Sequence, residues 1–146
     1  MSEEFTSLGL MSGTSGDGVD ASIIKSDGKT KYKVIKDEYF EYDLDIYQTI
    51  HELKEKIHNS HGLNKYKNEI NSLERKITLF HAKIAKKIIS GQQIDLIGFH
   101  GQTIYHNPGE KISKQIGNGK LLSELLKKRV IYNFRQKDIK NGGEGA

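Results

Sequence analysis

An α/β layer fold is what this 146-residue chain predicts, on three observations. Apolar residues first follow a strand-like pattern through residues 6–11, 18–25 and 31–42. From Ile46 onward they recur at the helical period instead. The nearly continuous apolar run Ile94–Phe99, which follows the helices, has the length and flanks of a buried central strand. Strands joined by tight turns, then strands separated by helices, give helices layered on a sheet.

Each element has a local reason. Leu8-Gly9-Leu10 and Ala21-Ser22-Ile23-Ile24 read as two strands flanking a glycine-rich turn. Asp27-Gly28 marks the turn into Lys31-Tyr32-Lys33-Val34-Ile35, so the three strands are expected to form an antiparallel meander. Ile46, Ile50, Leu53 and Ile57 share a helical face, with Asp45 in the first turn, where a carboxylate suits the helix dipole. Asn59-Ser60-His61-Gly62 ends that helix. The stripe Ile70, Leu73, Ile77, Phe80, Ile84 and Ile88 defines a long second helix, stopped by Ser90-Gly91. After the strand at 94–99, Pro108-Gly109 is a turn. Gln115-Ile116-Gly117-Asn118-Gly119 leads into a helix carrying Leu121, Leu122, Leu125 and Leu126, and Val130-Ile131-Tyr132 is a last short strand.

Composition removes several classes of function. Hydrophobic residues make up 35% and charged residues 29%, polar for a globular domain yet too apolar and periodic for a disordered one. The absence of cysteine excludes disulfides and thiolate metal sites and, with no secretory leader pattern, points to the cytoplasm. No apolar run reaches the length of a membrane span. Residues 1–62 carry 7 Lys and Arg against 12 Asp and Glu, whereas residues 63–146 carry 16 against 7. The basic half has no arginine cluster and no interleaved stacking aromatics, so nucleic acid is not an expected partner.

Three glycine-marked stretches carry the candidate chemistry. In Met11-Ser12-Gly13-Thr14-Ser15-Gly16-Asp17-Gly18-Val19-Asp20, glycines permit close backbone approach, and successive N–H groups in such a turn make a concave anion site. The loop feeds a strand rather than a helix, which excludes a Walker loop and a dinucleotide fingerprint. Asp17 and Asp20 could position magnesium directly or through water. The bland alternative is a plain hairpin turn. The second stretch, His100-Gly101-Gln102-Thr103, is expected at the carboxyl end of the buried strand, where ligands gather in open α/β sheets. A neutral His100 and the Gln102 amide suit sugar hydroxyls. Pairing of His100 with His106 on a metal lacks a third ligand. The third stretch runs from Asn133-Phe134-Arg135 through Asp138 to Gly142-Gly143-Glu144-Gly145. Arg135 could clamp a carboxylate or phosphate, or simply pair with Asp138. His51, His58, His61 and His81, on or beside helices, are expected to be solvated.

Together these stretches resemble the anhydro-N-acetylmuramic acid kinases of cell-wall recycling. The resemblance rests on Gly9 to Ser15 with Asp17-Gly18-Val19-Asp20, and on His100-Gly101-Gln102-Thr103-Ile104 followed by His106 and Pro108. It continues through Gln115-Ile116-Gly117-Asn118, then Phe134-Arg135, Asp138, Gly142-Gly143 and Gly145-Ala146. It implies a lobe of an actin/hexokinase-like (ribonuclease H-like) ATPase fold, with ATP and Mg2+ as cofactors. The implied reaction opens the anhydro ring of 1,6-anhydro-N-acetylmuramic acid and phosphorylates O6, giving N-acetylmuramic acid 6-phosphate. Residues Gly13, Thr14, Ser15, Gly16, Asp17, Gly18, Val19 and Asp20 would form the ATP phosphate loop. His100, Gln102, Arg135 and Asp138 would lie near the substrate cleft. The resemblance is compatible with a homodimer of the full-length family protein.

The departures from the family pattern are specific. Gly16 stands where the family usually has leucine or another larger residue, so a looser loop is expected. Asn133 replaces a usual aspartate and Glu144 a usual glutamine. Residues 1–146 are expected to be the amino-terminal lobe of a sugar kinase, cut short at the carboxyl end. Its general-base aspartate and second lobe would then lie beyond residue 146. On that reading the isolated chain is inactive or very weak, or a feeble binder of nucleotide phosphates, and apolar surface should lie exposed around its last strand.

Overall fold

The computed structural model describes residues 3–145. Strands β1 (Phe5–Ser12), β2 (Gly18–Ser26) and β3 (Tyr32–Glu41) come first. They pair as an antiparallel meander, with Leu8 opposite Ile23 and Asp20 opposite Tyr39. Helices α1 (Leu44–Lys56), α2 (Ser60–Lys65) and α3 (Lys67–Ile89) follow, then β4 (Leu96–Asn107), β5 (Ile112–Ile116), α4 (Gly119–Leu126), β6 (Val130–Ile131) and α5 (Gln136–Lys140). The sheet order is β3-β2-β1-β4-β5, with β6 also paired to β4. β1 and β6 run parallel to β4, and β5 runs antiparallel to it.

The meander and the two main helical stripes are as expected. All six apolar residues of the α3 stripe are buried, against a sheet face made by Leu8, Leu10, Val19, Ala21, Ile23, Ile97 and Phe99. Alternation along β1 and β2 therefore sends one set of side chains into this core and the other set outward. Around the last strand Ile131, Tyr132 and Phe134 are exposed, as the sequence predicts.

Three elements differ from expectation. The stretch Asn59–Gly62 ends α1 and also starts α2, because the Asn59 side chain accepts the Gly62 N–H as an N-cap. The strand after α3 does not stop at Phe99 but continues to Asn107. It can do so because its neighbours change along its length: β1 and β6 pair with its first half, β5 with its second. Residues 136–140, past the last expected strand, form the short helix α5, held to β5 where Gln136 Nε2 donates to the Ser113 carbonyl at 2.7 Å.

His81 corrects a second expectation. Far from solvated, it is fully buried in α3, edge-on to Phe99 at 4.9 Å between ring centroids. Its Nδ1–H donates to the Ile77 carbonyl at 2.8 Å, while Nε2 has no protein partner. Burial lowers its pKa to about 4. His58 and His61 are exposed as expected, and His51 is half-buried.

This geometry predicts an acid sensitivity with a definite sign. The unfolded chain protonates His81 below about pH 6.5, whereas the folded chain resists until about pH 4, so the unfolded state binds the extra proton across that window. Its share of stability is constant above that window and falls as pH drops through it, by about 3 kcal/mol in all. Urea denaturation of wild type and His81→Leu at pH 7 and pH 4.5 checks this. The wild type should lose about 2–3 kcal/mol more than the variant, and parallel losses would contradict it.

Candidate functional site

The glycine-rich turn between β1 and β2 is tied down from two directions. Gly16 N–H closes it on the Gly13 carbonyl at 3.3 Å, and Tyr42 N–H reaches the Asp17 carbonyl at 3.0 Å. Thr14, Ser15 and Asp17 are exposed, whereas Gly16 and Gly18 are buried. The α1 helix lies against it: Lys54 Nζ donates to the Thr14 carbonyl, and His51 Nε2 stands 3.9 Å from Asp17 Oδ1.

Beneath the turn lies a buried polar cluster. Ser12 Oγ is 2.5 Å from Tyr42 Oη and 2.6 Å from Gln102 Oε1, and the Gly18 carbonyl is 2.9 Å away. Gln102 Nε2 donates to the Gly13 carbonyl at 2.7 Å and to its neighbour's carbonyl, Thr103 O, at 3.0 Å. Ser12 and Gln102 are fully buried. Both amide groups of Gln102 are thus used on protein partners, the Gly13 end of the loop among them. Gln102, expected beside a sugar hydroxyl, lies buried under the loop with its amide bonded to protein groups. Tyr42, which sequence reasoning missed, completes the cluster. Burial raises its phenol pKa well above the ordinary value, so the hydroxyl stays a neutral donor. No motif or period marks Tyr42; its place follows only from where β3 meets α1.

Other predicted residues fall as follows. Val19 is a core residue with its side chain fully buried, and its partner in the ladder is Phe40, so it supports the loop from within. Asp17 and Asp20 flank Tyr39, whose phenol burial and then the carboxylates of Asp17, Glu41 and Asp20 push above its usual pKa. Among the described residues no three His, Asp or Glu gather as a metal cluster. His100 sits within β4, not beyond its end, as Gly101 turns at φ 78° where β1 stops. Its Nδ1–H donates to the Gly101 carbonyl at 2.8 Å, leaving Nε2 without a protein partner. Burial, then the positive charge of Arg135, lowers its pKa, which keeps the ring neutral near pH 7. His106 is bonded instead to Ser113, with Nδ1 and Oγ 2.9 Å apart, so the two histidines do not converge.

Arg135 stands at the N-cap position of α5 without a side-chain capping bond, and no ion pair joins it to Asp138 among the described residues. Asp138 organises the last glycine stretch: its Oδ2 accepts the Gly145 N–H at 2.9 Å, and its carbonyl accepts the Gly143 N–H at 2.9 Å. A Cβ on Gly143 would stand 2.2 Å from that carboxylate, so the close approach requires glycine. Asn133 takes a left-handed backbone at φ 63°, which asparagine tolerates.

Against this geometry, comparison with known proteins is clear. A family model for anhydro-N-acetylmuramic acid kinase matches residues 5–146, so the chain belongs to that family. It is 62% identical over its whole length to an anhydro-N-acetylmuramic acid kinase of Pelagibacter ubique (strain HTCC1062), of which it covers 40%. It is 36% identical over its whole length to the protein of that name from Agrobacterium fabrum, covering 40% of it. For the Gluconobacter oxydans protein of the same name the identity is 38% over 95% of the chain and 38% of the relative. The chain thus spans about two-fifths of the length of the curated relatives it matches.

Gly16 reverses the expectation of a loosened loop. It adopts φ 69°, and a Cβ there would meet Ile50 Cγ2 at 2.9 Å. The loop is packed tightly onto α1, and glycine is what permits the packing. Gly16→Ala should cost about 1–2 kcal/mol for left-handed backbone strain alone, visible as a lowered thermal midpoint. An unchanged midpoint would contradict both the strained backbone and the close approach of Ile50.

Proposed function

We propose that the chain is the amino-terminal lobe of an ATP-dependent kinase. The reaction is hydrolytic opening of 1,6-anhydro-N-acetylmuramic acid and phosphorylation at O6, in the cytoplasm, for recycling of wall sugars. The observation that carries this reading is the braced β1–β2 turn, where exposed Thr14, Ser15 and Asp17 put two hydroxyls and their backbone groups at the surface, a composition that suits phosphate oxygens. The sheet order, an antiparallel meander extended by strands parallel to β1, supports an actin/hexokinase-like (ribonuclease H-like) lobe. His100 is a neutral ring near Arg135 whose buried Nε2 has no protein partner, which leaves it a hydrogen bond to make on the sugar side, and the Arg135 guanidinium suits an anionic group. Asp138 acts one step back, by holding the glycine segment.

Magnesium keeps several of its waters and takes one or two carboxylates, so it fits a site where Asp17 or Asp20 binds it through water. When bound, it would neutralise charge on the phosphates. The proposal assigns no general base within residues 1–146. Transition-state charge in phosphoryl transfer requires groups placed around the whole transferring unit. A second reading is a phosphate-binding piece without turnover.

A coupled ATPase assay on the 146-residue chain, with magnesium and 1,6-anhydro-N-acetylmuramic acid, separates the two readings. Sugar-dependent turnover that falls at least tenfold in Asp17→Ala would mean a working cleft. No turnover from a folded chain that still binds Mg–ATP would favour the second reading.

A further inference from the structure

We propose that Tyr42 is a positioning residue for the phosphate loop, acting through Ser12 and Gln102. The inference rests on the phosphate-binding reading of the Gly13–Asp17 turn. Tyr42 touches the loop at both ends of its own residue. Its backbone N–H holds the Asp17 carbonyl at 3.0 Å, and its hydroxyl meets Ser12 Oγ at 2.5 Å and Gln102 Oε1 at 3.1 Å.

Counting protons orders the cluster. Ser12 and Tyr42 each supply one hydroxyl hydrogen, while Gln102 Oε1 and the Gly18 carbonyl can only accept. The shortest contacts select one chain: Tyr42 donates to Ser12 at 2.5 Å, and Ser12 donates to Gln102 at 2.6 Å. The amide of Gln102 then passes the constraint on, through Nε2, to the Gly13 carbonyl at 2.7 Å. In the alternative arrangement Ser12 turns to the Gly18 carbonyl at 2.9 Å and Tyr42 donates to Gln102 at 3.1 Å. Either way both ends of the turn, Gly13 and Gly18, lie within reach of one buried cluster, and without the Tyr42 hydroxyl a single Ser12 hydrogen must serve both Gln102 Oε1 and the Gly18 carbonyl.

The arrangement suits positioning better than simple cohesion. Ser12 and Gln102 are fully buried and Tyr42 is 7% exposed, so water does not compete for these bonds. The rest of the turn has few internal bonds: Gly16 N–H to Gly13 O, at 3.3 Å, is long. Oxyanion-binding N–H groups work only when aimed beforehand, and here the aim is set from below. The tyrosine ring packs separately on Phe80, at 5.1 Å between centroids, so removing the hydroxyl leaves that packing in place.

The test is amide exchange followed by mass spectrometry on the 146-residue chain, comparing wild type, Tyr42→Phe and Ser12→Ala. Binding of Mg–AMP-PNP, a non-hydrolysable ATP analogue, is measured on the same proteins by calorimetry. Exchange across residues 12–18 should rise about five- to tenfold in Tyr42→Phe, and the analogue affinity should fall by a similar factor. The β1–β2 ladder from Phe5 to Leu10 should keep its protection. Ser12→Ala should reproduce the effect, and adding it to Tyr42→Phe should add little, because the two share one chain. Unchanged loop exchange in both single variants, exchange rising equally along the ladder, or a loosened loop with unchanged affinity would each overturn the proposal. A wild type that binds no analogue, with loop exchange still rising in Tyr42→Phe, would sink the phosphate reading while leaving the clamp in place.

Discussion

The parallel pairing of β1 with β4 is the contact on which the rest of the molecule depends. It sets Leu8 beside Ile97 and Leu10 beside Phe99, and a register shift then brings Ser12 to Gln102. Those two residues are 90 positions apart in the chain. Parallel strands cannot be joined by a tight turn, so the intervening chain must cross over the sheet, and here it does so as β2, β3 and three helices. The crossover covers the apolar face of β1 and β4 with α1 and α3. That burial makes the pairing stable and keeps water from the polar cluster at its end.

The polar cluster is the local consequence of that pairing. At Gly101 the β4 backbone turns and β1 ends, so ladder bonds give out where two strands diverge. Side chains take over: Ser12, Tyr42 and Gln102 satisfy one another and the carbonyls of the turn. A buried polar group left unpaired costs about 1–3 kcal/mol, so such a cluster is stable only when complete. Three independent segments, the end of β1, the β3–α1 junction and the middle of β4, each contribute one member. The exposed residues of the turn are thereby held by groups that never reach the surface.

The second constraint is the grip of α1 on the same turn. Ile50 packs where a side chain at residue 16 would go, His51 approaches Asp17, and Lys54 reaches Thr14. Positions 50, 51 and 54 lie on adjacent turns of one helix and so face the loop together. At the other edge Asp138 does for the last glycine stretch what Gln102 does for the first, using its own acceptors to hold backbone N–H groups.

Much of this was legible in the sequence. The meander, the α1 and α3 stripes and the glycine-marked turn follow from period, turn chemistry and residue type, which act over a few residues and so leave local traces. The family resemblance, too, was carried by short ordered motifs. What tertiary structure decided was which polar side chains face solvent and which face one another. Gln102 reads as a ligand contact beside an exposed-looking glycine, yet the crossover buries it under the loop. His81 reads as one more helical histidine, yet its side faces Phe99 rather than water. Gly16 reads as slack, yet Ile50 makes it a packing requirement. Tyr42 carries no signal at all. In each case the deciding contact joins residues distant in the chain, and local sequence holds no record of a neighbour that only the packing of helices and strands brings near.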